Sequence, residues 1–350
     1  MKKTRPNKKP ELRSDLIGSE RARDAAALFA GCETLSGMVL AVSGGPDSLA
    51  LMHLAALWRD GGAAPPVCVA TVDHGLRETS GDEARRVGEW AQALALPHEI
   101  LPWIGPKPAR AIQERARDAR YALLFAHAER IGAAAVATGH HADDQWETIL
   151  FRLARGSGVA GLAGMAREQR FGGGLLIRPL LDLPKQALVD FCRERGQAFF
   201  DDPSNAHPAF ARTRLRRLAA ELRDLGFDRD KAAKLGARAA KAGEAIEWAA
   251  EHLLRRAALG EPDAYDLREI AEAPRALVEH FLSFALARVV GSRPQRLDRL
   301  ESLARQIHEA LQQGSSLRAT LGGCAVTLNA RKILILRREG PRRRGIEGAP

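Results

Sequence analysis

The chain carries the stretch Ser43-Gly44-Gly45-Pro46-Asp47-Ser48 between an apolar run (38–42) and a segment with apolar residues at helical spacing (49–56). A strand that turns through two glycines into a helix is typical of anion-binding loops. Glycine lets the backbone approach the anion, and the first N–H groups of the helix point towards it. The hydroxyls of Ser43 and Ser48 add two donors. The stretch therefore predicts a phosphate-binding loop between a strand and a helix.

Asp47 is the unusual member of this loop, because a carboxylate beside bound phosphates would repel them unless a divalent cation lay between. It indicates a nucleoside triphosphate bound together with Mg²⁺. The stretch has neither the lysine of the G-x-x-x-x-G-K-[ST] loop nor the G-x-G-x-x-G dinucleotide pattern. Its six positions resemble the SGGxDS loop of the ATP pyrophosphatases, which cleave ATP between its α- and β-phosphates. An ordinary Gly-Gly turn with an aspartate cap is the alternative.

Strand-like and helix-like segments alternate after the loop. Apolar runs at 67–72, 100–103 and 133–138 predict strands, and helical spacing of apolar residues predicts helices over 82–96 and 111–131. Strands separated by helices form right-handed βαβ units, so we expect an α/β fold with a parallel, Rossmann-like sheet. In such sheets ligands bind beyond the carboxyl ends of the strands.

Two more polar clusters directly follow predicted strands. Asp73-His74-Gly75-Leu76-Arg77 follows the strand at 67–72, and the segment 139–148 follows the strand at 133–138. Because the carboxyl ends of parallel strands share one edge of the sheet, both clusters and the glycine loop are expected to meet there. The expected meeting of these three segments at one edge of the sheet predicts an active site around one magnesium-bound triphosphate.

The segment 139–148 concentrates acidic residues at a predicted helix start. Asp143 and Asp144 lie in the first turn, and Glu147 follows Asp143 by one turn on the same face. These carboxylates are suited to share Mg²⁺ and to receive a cationic substrate, whereas routine stabilisation of a helix dipole is the alternative. Zinc binding by His140-His141 is disfavoured, because zinc needs three converging ligands and adjacent histidines on an extended segment point apart.

The chain of 350 residues has a net charge of +10, which predicts a polyanionic partner, and nucleic acid is the usual one. Four arginines within six residues repel one another unless an anion or an acidic surface is near. They are Arg212, Arg214, Arg216 and Arg217. The predicted helix at 111–131 carries Arg117, Arg120 and Tyr121, for which ligand contact and a solvated face are both open.

Four widely spaced cysteines indicate a reducing compartment. No C-x-x-C pair is present to hold zinc or an iron–sulfur cluster. The basic N-terminus lacks the apolar core of a secretory signal, and no apolar run is long enough to span a membrane. We therefore expect a cytoplasmic protein without a membrane segment.

The pattern changes beyond residue 156. A hairpin tip is predicted at 172–174 and a helix over 184–195, and the region from 218 to 307 has an almost wholly helical pattern. Apolar runs at 325–328 and 333–336 predict a small β element. The predicted domains are a flexible basic tail (1–14), a catalytic domain (15–218), a helical C-terminal domain with a terminal β hairpin (219–340) and a basic tail (341–350).

Five motifs follow one another along the chain. They are Ala41-Val42-Ser43-Gly44-Gly45-Pro46-Asp47-Ser48, Val72-Asp73-His74-Gly75-Leu76-Arg77, Gly139-His140-His141-Ala142-Asp143-Asp144-Gln145 with Glu147-Thr148, Arg178-Pro179-Leu180-Leu181, and Asp202-Pro203-Ser204-Asn205. In this order they resemble the tRNA(Ile)-lysidine synthetases, a family of the PP-loop ATP pyrophosphatase superfamily. The glycine loop identifies only the superfamily, whereas the third and fifth motifs are much narrower.

The resemblance implies a carbon–nitrogen ligase. ATP adenylates the C2 oxygen of the wobble cytidine in an isoleucine tRNA with a CAU anticodon, and pyrophosphate leaves. The ε-amine of free L-lysine then displaces AMP, and the product, lysidine, pairs with A and changes the tRNA identity from methionine to isoleucine. The implied cofactors are ATP and Mg²⁺, and the helical C-terminal domain would bind tRNA. A homodimer and the identity of the base that deprotonates lysine stay open.

The resemblance also implies roles for individual residues. ATP would be bound by Ser43, Gly44, Gly45, Pro46, Asp47, Ser48, Asp73 and His74. Catalysis would fall to Asp47, Asp143, Asp144 and Arg214, with Mg²⁺ on Asp47 and Asp143 and with Asp144 as the alternative second ligand. Lysine would be bound by Asp144, Glu147 and Arg117. The tRNA would be bound by Arg77, Arg120, Arg212, Arg216 and Arg217.

Two other interpretations are also compatible with the glycine loop. One is another PP-loop ATP pyrophosphatase, such as a tRNA thiolase or an amide-forming synthetase, and the other is a nucleotide-regulated RNA-binding protein without catalysis. The separated cysteines disfavour a thiolase, and the intact Ser43, Asp47, Asp143 and Asp144 disfavour an inactive site. Longer family members carry two domains after the catalytic one, so contacts to the acceptor stem are not carried over to this shorter chain.

Overall fold

A computed structural model describes residues 19–62, 64–105, 112–200, 221–261, 263–291 and 297–340. The chain divides into two compact units. The first contains the described residues of Met1–Phe151 and Gly164–Ala233, and the second contains those of Arg152–Ala163 and Lys234–Pro350. The predicted domain boundary at residue 218 and the predicted tails lie outside the described residues.

The first unit is built on a six-stranded sheet. Its strands are β1 (Met38–Ala41), β2 (Val67–Asp73), β3 (His98–Pro102), β4 (Ala135–Thr138), β5 (Glu168–Phe171) and β6 (Gly174–Ile177). They are arranged in the order β3-β2-β1-β4-β6-β5, and all neighbours are parallel except β5 and β6. The predicted parallel sheet is confirmed. β5 runs antiparallel because the chain reverses at the predicted hairpin tip.

Helices cover this sheet on both faces. The helices before residue 200 are α1 (Ser19–Leu28), α2 (Pro46–Asp60), α3 (Ser80–Ala93), α4 (Ile112–Arg130), α5 (Ala142–Ala154) and α7 (Lys185–Glu194), together with α6 (Val159–Leu162), which belongs to the second unit. Met38 and Leu40 of β1 are buried in the core with residues of α1, α2, α3 and α7, whereas Val39 is buried with Leu124 of α4. Burial on both faces explains why β1 is a continuous apolar run.

The second unit combines helices with a small antiparallel sheet. Its later elements are α8 (Arg229–Ala257), which begins in the first unit, β7 (Ala264–Asp266), a 3₁₀ turn (Ile270–Glu272), α9 (Arg275–Val290), α10 (Leu297–Gln313), β8 (Leu317–Leu321), β9 (Cys324–Leu328) and β10 (Ile333–Arg338). The sheet order is β7-β10-β9-β8. Phe281, Ile307 and Leu334 are fully buried in its core.

The small β element is therefore larger than the predicted hairpin. β8 adds a third strand before the two that were expected, and β7 pairs with β10 from within a region whose pattern predicted helix throughout. The pairing with β10 decides this, since a three-residue strand has almost no sequence signal of its own. No helix among the described residues is long and apolar enough to cross a membrane.

Candidate active site

The candidate site lies where the strand order of the first unit reverses. β1 is flanked by β2 on one side and β4 on the other, and Ala41 pairs with both Ala70 and Thr138. Such a switch point opens a crevice beyond the carboxyl ends of the strands, where ligands bind in α/β sheets. The glycine loop follows β1, and the segment 139–148 follows β4, so the two segments emerge side by side.

The glycine loop has the geometry of an anion-binding turn. Gly44 adopts φ +84°, and a Cβ atom there would lie 2.5 Å from Cδ2 of Phe200. The hydroxyl of Ser48 accepts a hydrogen bond from the Ser43 N–H at 3.1 Å and donates one to the Gly45 carbonyl at 2.9 Å. The loop is thus tied into a closed turn at the N-terminus of α2, where unbonded N–H groups and the helix dipole favour an anion.

The loop after β4 packs directly against the start of α2. A Cβ atom on Gly139 would lie 2.8 Å from the carbonyl oxygen of Asp47 and 3.1 Å from the N atom of Ser48. Only glycine leaves room for the two backbones to approach this closely. The approach brings the first turn of α5 beside the glycine loop.

His141 lies at the centre of the acidic cluster. Its side chain is 6% exposed, and its Nε2 atom lies 3.5 Å from Oδ2 of Asp47 and 3.4 Å from Oδ2 of Asp144. Its Nδ1 atom lies 4.0 Å from Oδ2 of Asp143. Three carboxylates from two helices therefore converge on one buried imidazole.

The same histidine caps helix α5. The Asp144 N–H donates to Nδ1 of His141 at 3.3 Å, and the His141 N–H donates to Oδ2 of Asp144 at 3.2 Å. This reciprocal pair is a capping box with histidine in the N-cap position. Burial alone would lower the pKa of His141, but the hydrogen bond to Asp47 and the charges of Asp144, Asp47 and Asp143 raise it above its usual value.

Asp143 joins three elements of the unit. Its Oδ2 atom accepts a hydrogen bond from the Lys185 N–H at 2.8 Å, at the first residue of α7, and lies 2.8 Å from Nη1 of Arg229. A carboxylate at a helix N-terminus satisfies an N–H group that the helix itself leaves open. The acidic side chain thus holds the starts of α7 and α8 against α5.

Asp47 is the carboxylate best placed for a cation. Its Oδ1 atom is buried without a hydrogen-bond partner among the described residues, and its Oδ2 atom lies 4.0 Å from Nζ of Lys185. A buried acceptor left open beside a phosphate loop fits a magnesium ion, which takes one or two carboxylates and completes its shell with phosphates and water. The described residues contain no group of three or more His, Cys, Asp or Glu arranged to hold a metal alone.

The predicted residues at and after the end of β2 make hydrogen bonds and an ion pair within their own turn and the start of α3. Oδ1 of Asp73 accepts hydrogen bonds from the Gly75 N–H at 3.0 Å and the Ser80 hydroxyl at 2.6 Å. Nδ1 of His74 accepts from the Leu76 N–H, and Arg77 pairs with Glu83 at 2.9 Å. Asp73 and His74 are at the carboxyl end of β2, as expected, but these contacts are structural.

The remaining predicted residues divide into two groups. Glu147 is partly buried in the second turn of α5, while Arg117 and Arg120 are exposed on α4, where the guanidinium of Arg117 lies 5.2 Å from the ring centroid of Tyr121. These contacts do not join α4 to the glycine loop. The predicted residues 202–205, 212, 214, 216 and 217 lie outside the described residues.

Three residues of the site were not predicted to be in it. His141 was considered only as a zinc ligand, and Lys185 and Arg229 were not considered. Lys185 did carry a signal, because a cation in the first turn of a helix opposes the helix dipole. Nothing in the local sequence indicated Arg229, which is 86 residues from its partner Asp143.

Known proteins are similar in sequence to this chain over most of its length. A family model described as a PP-loop domain matches residues 19–222. The tRNA(Ile)-lysidine synthase of Methylobacterium sp. (strain 4-46) is 48% identical over 318 residues, which cover 88% of this chain and 90% of that protein. The tRNA(Ile)-lysidine synthase of Rhodopseudomonas palustris (strain ATCC BAA-98 / CGA009) is 42% identical over 335 residues, which cover 93% of this chain and 96% of that protein.

One solved structure shares the fold. The U34-tRNA thiolase NcsA from Methanococcus maripaludis superposes with a TM-score of 0.53 at 14% sequence identity, covering 63% of this chain and 78% of that chain. At this identity the likeness concerns the fold alone.

Proposed function

The chain belongs to the tRNA(Ile)-lysidine synthase family of PP-loop proteins, and on this basis we propose how its residues perform the reaction. It is a ligase that joins free L-lysine to C2 of the wobble cytidine in a CAU-anticodon isoleucine tRNA, in the cytoplasm. The observation that carries the proposal is the convergence of Asp47, Asp143 and Asp144 on His141 beside the glycine loop.

The reaction consists of two displacements. The O2 atom of the cytidine attacks the α-phosphorus of ATP, and the bond from that phosphorus to the oxygen bridging to the β-phosphate breaks, which releases pyrophosphate. The unprotonated ε-amine of lysine then attacks C2, the C2–O2 bond breaks, and O2 leaves on AMP. Because the amine has a pKa of about 10.4 in water, it must lose a proton before the attack.

The glycine loop would hold the phosphates of ATP. Backbone N–H groups at the start of α2 and the hydroxyl of Ser43 would donate to the phosphates, while Ser48 keeps the turn closed. Preorganised donors of this kind stabilise charge that develops as the leaving group departs, because they need no reorientation during the reaction. Asp73 and His74 would line the nucleotide-binding side of the crevice, held there by the turn that they shape.

Asp47 and Asp143 would hold Mg²⁺, with Asp47 as the principal ligand because its Oδ1 atom is open. When bound, the ion would neutralise charge on the departing pyrophosphate. Asp143 has a second task, since its Oδ2 atom already positions α7 and Arg229.

Asp144 and Glu147 would bind the ammonium groups of the lysine substrate. Both are partly buried on α5, which begins beside the glycine loop, and two carboxylates suit two ammonium groups better than one does. Arg117 is proposed to bind the carboxylate of the lysine. Arg214 is proposed to face the activated base, and the basic residues Arg77, Arg120, Arg212, Arg216 and Arg217 are proposed to contact tRNA phosphates.

A direct assay tests the proposal. The protein is incubated with radiolabelled lysine, ATP, Mg²⁺ and an unmodified CAU-anticodon isoleucine tRNA. We expect label in the tRNA, with AMP and pyrophosphate released in equal amounts. In Asp47→Asn, pyrophosphate release should fall by roughly a hundredfold or more, because the charge that faces the leaving group is removed.

A matched variant controls for loss of structure. Asp190→Asn changes an exposed carboxylate of the first unit whose contacts with Gln186 at 2.9 Å and with Arg193 at 3.5 Å stay within α7, and it should behave as the unmodified protein. Binding of tRNA to both variants should be unchanged. Absence of incorporation with all substrates present would refute the proposed activity, and full activity of Asp47→Asn would refute the role of Asp47.

A further inference from the structure

We propose that Lys185 is a catalytic residue that binds the β- and γ-phosphates of ATP and the pyrophosphate that leaves; this inference rests on the proposed function. A lysine performs this task within the G-x-x-x-x-G-K-[ST] loop, but the present glycine loop has no lysine. The structure supplies one from another helix, 138 positions further along the chain than Asp47 (185 minus 47).

The backbone places Lys185 firmly beside the glycine loop. Its own N–H donates to Oδ2 of Asp143 at 2.8 Å, and the Leu183 carbonyl accepts the Ala142 N–H at 2.8 Å. Two turns later on α7, the thiol of Cys192 donates to the Pro46 carbonyl at 3.4 Å. Helix α7 is therefore anchored to both segments of the site.

The side chain of Lys185 reaches the site without being buried in it. Its Nζ atom lies 4.0 Å from Oδ2 of Asp47, and the side chain is 44% exposed. At this distance and exposure the ion pair contributes little to stability, so stability does not explain the position. A partly exposed ammonium this close to Asp47 of the glycine loop can bind phosphate oxygens.

Electrostatics favours a functional reason for this lysine. Lys185 is the first residue of α7, where the helix dipole disfavours a cation, and no acidic residue occupies that first turn. The glycine loop already carries Asp47, and a triphosphate adds several negative charges, so a cation is needed between them. Lys185 meets that need, because its Nζ atom lies beside Asp47 of the glycine loop.

The test compares Lys185→Ala with Lys185→Arg. Alanine removes the ammonium but keeps the main-chain N–H that holds Asp143, so the fold should be unaffected. Binding of pyrophosphate with Mg²⁺, measured by calorimetry, should weaken roughly tenfold to a hundredfold in Lys185→Ala, the range expected for hydrogen bonds to charged groups. Arginine should restore part of the affinity because it keeps the charge.

Kinetics gives a second readout. In Lys185→Ala the rate of pyrophosphate release should fall and the KM for ATP should rise, while the KM for lysine should stay the same. Arg193→Ala is the matched control, because it removes a cation from the same helix that is exposed and paired with Asp190.

The outcomes separate the two proposals. Unchanged pyrophosphate affinity in Lys185→Ala, or a change confined to the KM for lysine, would overturn the role of Lys185. Calorimetry needs no turnover, so it tests Lys185 even if the unmodified protein forms no lysidine. If the unmodified protein forms no lysidine, that result overturns the proposed function and not the role of Lys185.

Discussion

At the scale of single residues, the geometry of the glycine loop depends on close packing around Gly44. Gly44 has a left-handed backbone and touches the ring of Phe200, whose own N–H donates to the Gly44 carbonyl at 2.9 Å. The phosphate loop is thus closed by a residue more than 150 positions away in the chain. The aromatic ring also packs on Trp90 at 5.2 Å, so it cannot move aside freely.

Replacing Gly44 by alanine should therefore disable the loop. A left-handed alanine costs about 1–2 kcal/mol, and the clash with Phe200 adds to that cost. Urea unfolding should show the lost stability, and pyrophosphate release should fall sharply. Gly31→Ala is the control, because its φ is +89° but no atom lies within 4 Å of the added methyl group. It should lose stability only, and equal activity loss in both variants would contradict the argument.

His141 offers a second prediction at this scale, because its two ring nitrogens have separate tasks. Asparagine can replace Nδ1 as the cap of α5 but cannot reach Asp47, whereas glutamine can reach towards Asp47 but caps poorly. We expect His141→Asn to keep its stability and lose roughly tenfold to a hundredfold in pyrophosphate release, as positioning residues do. His141→Gln should lose about 1 kcal/mol of stability and retain more activity. If His141→Asn retained more activity than His141→Gln, capping of α5 would be the only task of His141.

At the scale of elements, three helix starts meet around the acidic cluster. The start of α5 packs against the start of α2 through Gly139 beside Asp47, and it is joined to the start of α7 by the hydrogen bond from Lys185 N–H to Asp143. Each start contributes partly positive N–H groups, which together favour negatively charged ligands. The carboxylates of this region hold the helix starts in place and remain close to where substrates would bind.

Asp143→Asn tests the structural part of this arrangement. The change removes the charge that faces Arg229 and weakens the bond to the start of α7. Because both partners of the ion pair are partly exposed, we expect a loss of about 1 kcal/mol in the free energy of unfolding. Asp190→Asn, on the exposed side of α7, should change it by less than about 0.5 kcal/mol. Equal effects of the two variants would show that Asp143 does not hold these helices.

At the scale of the whole molecule, stability depends on burial in the hydrophobic cores of both units. The first unit also buries titratable groups: the pKa values of His53, His98 and His127 are lowered, in each case chiefly by burial. A histidine with a lowered pKa stays neutral in the folded state where the unfolded chain already binds a proton. Its stabilising effect is present above the ordinary pKa of 6.5 and is lost as the pH falls.

The free energy of unfolding should therefore be lower at pH 5.5 than at pH 7.5, as urea titrations can measure. His141 acts in the opposite direction, since its raised pKa stabilises the fold at low pH, whereas the pKa values of the other three described histidines with a resolved shift are lowered. His53→Gln, which can keep the hydrogen bond to Gln197, should reduce the difference between the two pH values. A stability that rises on acidification would contradict this account.

Much of the fold could be read from short-range patterns. The apolar run at 38–42, the two glycines and the helical spacing that follows are each decided by neighbouring residues, and β1, the loop and α2 agree with them. The strands β2 and β4 and the helix α4 were predicted within a few residues for the same reason. β7 and β8 were missed because short edge strands depend on the strand they pair with.

The candidate site was predictable in its outline but not in its contacts. Periodicity and the rule for parallel sheets bring Asp47, Asp143 and Asp144 to one edge of the sheet, because strand direction alone determines which ends meet. The meeting of His141, Lys185 and Arg229 with those carboxylates could not be anticipated, since it depends on how helices 42 and 86 residues apart pack together. Local sequence specifies an element and its direction, whereas side-chain neighbours across elements arise only when the whole core closes.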